Sequence, residues 1–573
     1  MNILIIEDEK PAARLLQRKV EKLGLQVNTM LHSVEEAISW FQNHPHPDLI
    51  FLDIQLSDGL SFEIFEYFDK AQQHIKSAVI FTTAYDEYAL RAFKLNSIDY
   101  LLKPIREAEL KKAIQKVAKR LEEIYFPGDS VPMYLDKRSE TLKIIQHIER
   151  MYDEEPYTIS ILADLQGPKL RVGEIQNGLL EINRGDILTF TSREKVVGTK
   201  EKIYVSYPDL HRDVKVGDKI LIDDGKLEVI VVATEPDGDV KVEVTYGGIL
   251  LPKKGINLPD TEISLPPLTE KDLADLEFIM AHQIDWVALS FVRKAEDIID
   301  LKRRIKEGGC QSKVIAKIEM PSALKDLRNI ILESDAVMVA RGDLGVELPV
   351  EKVPMAQRDI IRKCIHRAKP VIVATQMMES MIDRVKPNRS EITDVANAVL
   401  EGADAVMLSG ETATGKHPAL VVETMRKIIY EVERTEYRYN REDDLKPLPH
   451  SPSFLSDAIC YNACKLAEDV QADALIGMTQ SGYTAFMLSS YRPQAPLYIF
   501  TKSKSLVSQL SLSWGVRAFY YDEEVSLDDI IADQINILKE RGFIKQGDVV
   551  INTGSTPVQK HLPTNVLKIT KLD

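Results

Sequence analysis

The chain is poor in cysteine, in long apolar runs and in positive charge, and each shortage excludes something. Only four cysteines occur in 573 residues, Cys310, Cys364, Cys460 and Cys464, and none stands in a spacing with histidine that would hold a structural metal. Cys460 and Cys464 lie one helical turn apart and are expected to be packed thiols of a reducing compartment. No run reaches the ~18 apolar residues a membrane span needs. The opening MNILIIEDEK meets acids directly after its short apolar stretch, unlike a secretory leader or an anchor. Lys and Arg number 73 against 88 Asp and Glu, a net charge of -15, which argues against nucleic acid or an anionic membrane as main partner. A cytoplasmic location is expected, and the length suggests roughly three to five domains.

Along the first 120 or so residues, short apolar runs alternate with longer stretches of helical period: NILIIE, KPAARLLQRKVEKLG, DLIFLDI, AVIFTTA and DYLLKPI. That alternation predicts a doubly wound parallel sheet, whose ligands gather at the carboxyl ends of the strands. Glu7 and Asp8 end the first strand, Asp53 the third, Thr83 the fourth, and Lys103 with Pro104 the fifth. Carboxylates converging on one crevice repel one another and are tolerated when a divalent cation of the Mg type neutralises them. One of them can then accept a phosphoryl group.

The strings IIEDE, FLDIQLSDGLSFEIF and TTAYDEYALRAFKLNSIDYLLKPI resemble a response-regulator receiver of flavodoxin-like fold, of the branch that normally carries a LytTR DNA-binding output. The resemblance implies that Asp53 is phosphorylated by a sensor histidine kinase. It implies that Asp8, Asp53 and the Gln55 carbonyl bind Mg while Glu7 holds a metal-bound water. Thr83 and Tyr100 would form the switch pair, Lys103 would bridge to the phosphate, and Pro104 would follow a cis bond. The receiver is assigned to residues 1–122. No DNA-binding output follows: a Pro- and Gly-bearing linker is expected over 123–140.

Beyond it, ISILADLQ, WVALSFV, KVIAKIE, AVMVARGD, PVIVATQMME and AVMLSGET are six strand candidates of near-continuous apolar character, each ending in polar residues. Helical stretches separate the last five, as in a (β/α) barrel whose reactive groups line the C-terminal mouth. Between the first and second lies an all-β insertion, about Pro168 to Pro266, with alternating strands around the turns DDG and PDG. A final α/β segment covers 451–573.

From Thr158 to Asp573 these strings resemble pyruvate kinase, with a TIM-type barrel over 141–167 and 267–440, a mobile lid over 168–266 and a C-terminal α/β domain. The resemblance implies phosphoryl transfer from phosphoenolpyruvate to ADP, giving pyruvate and ATP, with Mg or Mn. Glu319 and Asp343 would hold the catalytic metal. Lys317 would stabilise charge on the enolate and the migrating phosphoryl, and the Arg341–Gly342–Asp343 backbone would hold the substrate carboxylate. Thr375, Ser409 and Glu411 would belong to the network that protonates the enolate, and Lys254 on the lid would approach the nucleotide phosphates. Asp164 would belong to the monovalent-cation site. Lys169 occupies the place of a glutamate found in potassium-requiring members, so potassium independence is expected. In the last domain TQSGYT, with Thr479, Ser481, Gly482 and Thr484, falls where a phosphorylated effector sits in regulated members, but Tyr483 replaces a frequent arginine, so a plain polar turn is expected in preference to an effector site. Homo-oligomers through the C-terminal region are expected.

One departure sets the chain apart. The family's opening ATIGPAS-like turn and its R-x-N-x-S-H-G strand end occur nowhere in the sequence. Two barrel strands are therefore expected to be missing, with the arginine that faces the transferred phosphoryl. Loss of one such donor costs about 3 to 4 kcal/mol of transition-state stabilisation, a factor of roughly 10² to 10³ in rate. Two function classes follow: an enzyme of reduced turnover joined to a receiver, or a catalytically silent signalling or scaffold fusion. A fusion or assembly error between two genes is a third origin for the same pattern.

Overall fold

The computed structural model describes residues 3–22, 27–44, 46–47, 49–70, 77–83, 99–103, 105, 110, 113, 159–235, 238–435, 439, 445–447, 449, 451–523, 525–557 and 562–573. The expected linker 123–140, Pro104 and the side chain of Tyr100 lie outside them. The chain divides into two compact units, Met1–Leu142 and Lys143–Asp573.

In the first unit, β1 (Ile3–Ile6), β2 (Val27–Leu31), β3 (Leu49–Asp53), β4 (Ala78–Thr83) and β5 (Asp99–Leu102) form one parallel sheet in the order β2-β1-β3-β4-β5. β1 and β3 are buried along their whole length, which explains why they read as unbroken apolar runs. The strand order reverses between β1 and β3, the place where ligands bind in such sheets. Glu7, Asp8 and Asp53 sit there. The helix Lys10–Lys22 buries Ala13, Leu16 and Val20 against the sheet, and the helix Val34–Asn43 is started by the Ser33 hydroxyl, which accepts the Glu36 N–H.

The second unit is built on a parallel sheet of six strands: β6 (Leu162–Leu165), β7 (Trp286–Leu289), β8 (Lys313–Ile318), β9 (Ala336–Ala340), β10 (Val371–Ala374) and β11 (Ala405–Val406). They pair in sequence order, from β6 at one edge to β11 at the other. All six predicted strands are present, and among the described residues nothing pairs with the outer side of β6 or β11. Across the described residues the sheet fits an incomplete barrel. Alternation divides its side chains between two layers: Trp286, Ala288, Ile315, Ala336, Met338, Ile372 and Ala374 face inward, while Val287, Leu289, Val314, Ala316, Val337 and Val339 pack under the helices.

Three aspartates repeat one device at the amino ends of these strands. Asp285, Asp335 and Asp404 each precede a strand and accept a backbone N–H at the foot of the strand before it, from Ile161 at 2.8 Å, Val314 at 2.9 Å and Val371 at 2.9 Å. Each satisfies a main-chain donor that the ladder leaves unpaired.

The insertion between β6 and β7 is a six-stranded sheet with its own core, running Ile203–Tyr204, Ile187–Thr191, Val240–Tyr246, Leu227–Thr234, Lys219–Ile222 and Ile256–Asn257. Its DDG turn places Asp223, Asp224 and Gly225 at positive φ, the conformation that short polar residues and glycine tolerate. The C-terminal domain arranges β12 (Ala474–Met478), β13 (Leu497–Thr501), β14 (Val516–Tyr520), β15 (Val549–Gly554) and β16 (Val566–Lys571) in the order β14-β13-β12-β15-β16, with β16 antiparallel. All four cysteines are free and buried.

Candidate functional site

The carboxyl ends of β6, β7 and β8 bring together four polar side chains. Lys317 Nζ lies 2.9 Å from Glu319 Oε1, 3.1 Å from Asp164 Oδ2 and 2.8 Å from Ser290 Oγ. Glu319 is 1% exposed, and its other oxygen accepts the Phe291 N–H at 2.8 Å. Burial raises the Glu319 carboxyl above its usual range; Lys317 opposes this and Asp343 adds to it. Burial also works against the charge on Lys317, but Glu319 and Asp164 outweigh it and hold the ammonium above its ordinary value. Ser290 was missed in the sequence, although it ends WVALS by the same strand-end rule that marked the others.

At the next mouth positions, Thr375 stands just past β10 at φ 67°. Its hydroxyl accepts the Gly342 N–H at 2.7 Å and donates to the Ala374 carbonyl at 2.6 Å. The Arg341 side chain is committed to structure: it pairs with Asp394 at 2.7 Å and donates to the Thr375 carbonyl at 2.6 Å. Past β11, the buried Glu411 accepts the N–H groups of Met378 at 3.1 Å and Ser409 at 2.7 Å. It thereby ties the loops after β10 and β11 together.

The lid meets this mouth through Asn257, whose amide donates to Glu347 Oε1 at 2.8 Å. Burial pushes the Glu347 carboxyl up to about 7; the Asn257 hydrogen bond works against this, and Asp343, Asp260 and Glu319 add to it. Lys169, Asp343, Glu347 and Arg293 line the cleft between lid and sheet. Lys254 pairs with Asp223 inside the lid at 2.8 Å.

In the C-terminal domain a cavity of about 820 Å³ opens where β12 and β15 end, at the point where the strand order reverses. Thr479, Ser481, Tyr483 and Thr484 line it. Gly482 adopts φ 88° and its N–H donates to Thr479 Oγ1 at 3.1 Å, while the Tyr483 hydroxyl donates to Asp457 at 2.5 Å.

In the receiver, ligand oxygens of Glu7, Asp8 and Asp53 all lie within 4.8 Å of one another, the only such group of three among the described residues. Lys103 Nζ bridges Asp53 Oδ2 at 2.5 Å and Glu7 Oε2 at 2.6 Å. Burial pushes the Glu7 carboxyl up to about 7 although Lys103 pulls the other way. Gln55 donates its N–H toward Asp53 Oδ1 at 3.4 Å, and Thr83 is buried at the end of β4. Tyr100 stands in β5, with its backbone opposite Phe81.

Fold and site together define the class: a (β/α)-barrel enzyme with an inserted lid and a C-terminal α/β domain, preceded by a receiver. The pyruvate kinase barrel domain family matches residues 134–422, the pyruvate kinase alpha/beta domain family 457–570, and the response regulator receiver domain family 3–115. Pyruvate kinase of Clostridium acetobutylicum is 39% identical over 412 residues, 72% of this chain and 86% of that protein. Pyruvate kinase of Corynebacterium glutamicum is 41% identical over 412 residues, covering 72% and 85%. A crystal structure of a pyruvate kinase from Cryptosporidium parvum matches with a TM-score of 0.68 at 26% identity, covering 100% of this chain and 96% of that one. The chain belongs to the pyruvate kinase family and is an enzyme of that class fused to a receiver domain. No helix among the described residues is long and apolar enough to cross a membrane.

Proposed function

We propose that this chain transfers a phosphoryl group from phosphoenolpyruvate to ADP at the mouth of a barrel that lacks the family's first two strands, and that its turnover is reduced for that reason. The observation that carries the reading is Lys317 held between Glu319 and Asp164, with Asp343 and Thr375 at the neighbouring strand ends. Glu319 and Asp343 fit a hard divalent cation: two neighbouring carboxylates, one of them raised by burial and further by the other, gain from a shared Mg or Mn. Bound there, the cation would neutralise charge on the phosphoryl oxygens. Lys317 orients and stabilises the enolate oxygen. The Arg341–Gly342–Asp343 backbone seats the substrate carboxylate, with the Gly342 N–H itself held by Thr375. Thr375, with Ser409 and Glu411, holds the proton path to the enolate carbon, and Lys254 reaches the nucleotide from the lid.

Lys169 lines the cleft between lid and sheet at the position of a glutamate in potassium-requiring members, and on that substitution the activity is proposed to be independent of potassium. A strong potassium requirement in a sodium-free assay would refute that part. The receiver, of the LytTR-associated branch, accepts a phosphoryl group on Asp53 from a sensor histidine kinase. Mg would lie between Asp8, Asp53 and the Gln55 carbonyl, and Thr83 and Tyr100 would read out the phosphate. The chain assembles as a homo-oligomer through its C-terminal domain, and the Thr479–Thr484 turn, with Tyr483 engaged to Asp457 where a basic residue is frequent, reads as a plain polar turn in preference to an effector site.

The open six-stranded sheet supports a second reading, a catalytically silent signalling fusion. Pyruvate formation from phosphoenolpyruvate, ADP and Mg, before and after treatment with acetyl phosphate, separates the two. Measurable turnover that disappears in Lys317→Met supports the enzyme. Folded protein without turnover supports the silent fusion.

A further inference from the structure

Both edges of the open sheet are held by one short piece of the C-terminal domain. At the foot of β6, Ser160 donates its hydroxyl to the Ser508 carbonyl and accepts from Ser511 Oγ at 3.0 Å. At the foot of β11, Asp404 Oδ1 accepts the Trp514 N–H at 3.1 Å and pairs with Arg492 Nη1 at 3.0 Å. Between them, Gln509 Nε2 donates to the carbonyls of Gln311 at 2.9 Å and Asp285 at 3.4 Å, ahead of β8 and β7. Leu512 packs against the inner layer that Leu162 of β6 and Ala405 of β11 also join. Arg492 backs this piece: it is 1% exposed, its guanidinium lies 5.2 Å from the Trp514 ring, and it donates to the Gly402 carbonyl at 2.8 Å.

A parallel sheet left open exposes two rows of unpaired backbone and has no partner to fix its curvature. β11, with two residues, is the shortest strand of this sheet. We propose that Ser508–Trp514, braced by Arg492, is a strut that stands in for strand-to-strand closure. By fixing the feet of β6 and β11 it sets the spacing of their upper ends, which carry Asp164 on one side and Ser409 with Glu411 on the other. The contacts just described that it makes with the strands lie at their amino ends, opposite the mouth, and its Trp514 indole is tied to Glu433 on the helix Pro418–Thr435 at 2.9 Å, so its residues position the site without touching substrate. The link to turnover rests on the assignment of those three residues above, whereas the mechanical claim does not.

Hydrogen exchange followed by mass spectrometry on the full chain, alongside steady-state kinetics, tests this with Arg492→Met and Leu512→Ala. Gln509→Ala and Arg492→Lys serve as milder variants, and Ile569→Ala on β16 is the control. Exchange in Leu162–Leu165 and Ala405–Val406 is expected to quicken about tenfold while β8 and β9 stay protected. kcat is expected to fall about tenfold, with Arg492→Lys retaining most of it. Exchange that rises equally in all six strands, or edges that stay protected in every variant, overturns the strut. Loosened edges with unchanged kcat overturn its positioning role. A parent chain without turnover defeats the proposed activity and leaves the exchange result to decide the strut.

Discussion

Thr375 receives the backbone N–H of Gly342 on its hydroxyl at 2.7 Å, from a main chain at φ 67°. A β-branched residue in that conformation is strained, and such strain persists where the surroundings over-determine it. Here the hydroxyl joins the end of β10 to the start of the helix Arg341–Glu347. Thr375→Val removes the acceptor and leaves the Gly342 N–H unpaired, at a cost of about 1 to 3 kcal/mol. Activity is expected to fall by a factor of ~10 to 100, and Thr375→Ser, which keeps the oxygen, to retain most of it. Initial rates and thermal melts of both variants check this.

Among the described residues, Lys317 is the cation that pairs with Glu319, a carboxylate at 1% exposure. Lys317→Met should lower the rate of pyruvate formation by roughly 10² to 10³ and raise the Glu319 carboxyl further. Lys317→Arg should not restore the rate, because a planar fork does not reproduce a compact ammonium held by three oxygens. Equal rates for Lys317→Arg and the parent would contradict the role given to this side chain.

Much of the mouth was legible in the sequence because the four inner strands β7 to β10 are largely buried on both faces and so read as apolar runs that stop at a polar strand end. KVIAKIE shows both the strand and the Lys317–Glu319 pair within seven letters. The feet of the same strands were not legible. Ser160 and Ser508 are 348 residues apart, and Asp285 reaches back 124 residues to Ile161. Serines and aspartates before a strand carry no mark that distinguishes a solvated loop from a clamp. β16 escaped notice for another reason: its pattern Val566–Lys571 is partly exposed throughout, and it is defined by pairing with β15 rather than by burial.

Asp285 yields a pH dependence. Burial raises its carboxyl from 3.8 to about 6, although the Ile161 N–H and Ser508 work in the other direction. The native state thus binds this proton more tightly than the unfolded chain. The associated stability is fully present below the unfolded value near 3.8 and is lost as pH rises through about 6. The difference corresponds to about 3 kcal/mol at most. Asp285→Asn should therefore stabilise the second unit at pH 8 and change little at pH 4, as read from urea unfolding at the two pH values.

Lys103, held by Asp53 and Glu7, gives a prediction for the receiver. Acetyl phosphate with Mg should add one phosphoryl group to the parent chain, detected as an intact-mass increment, and none to Asp53→Ala. Lys103→Ala should still accept the group. It should lose any change in pyruvate kinase turnover that phosphorylation produces in the parent, since the bridging ammonium is gone.

The four buried thiols have a practical corollary. With Cys310, Cys364, Cys460 and Cys464 all shielded from solvent, the native surface offers no competing nucleophile for maleimide dyes. Burial pushes the Cys364 and Cys460 thiols far toward the unreactive protonated form. A pair of cysteines introduced on the lid at Val197 and on the barrel helix at Ile299, both exposed positions, would carry fluorophores without stripping the parent sequence of its own sulfur. Any movement of the inserted domain against the barrel can then be followed on single molecules while the receiver is phosphorylated.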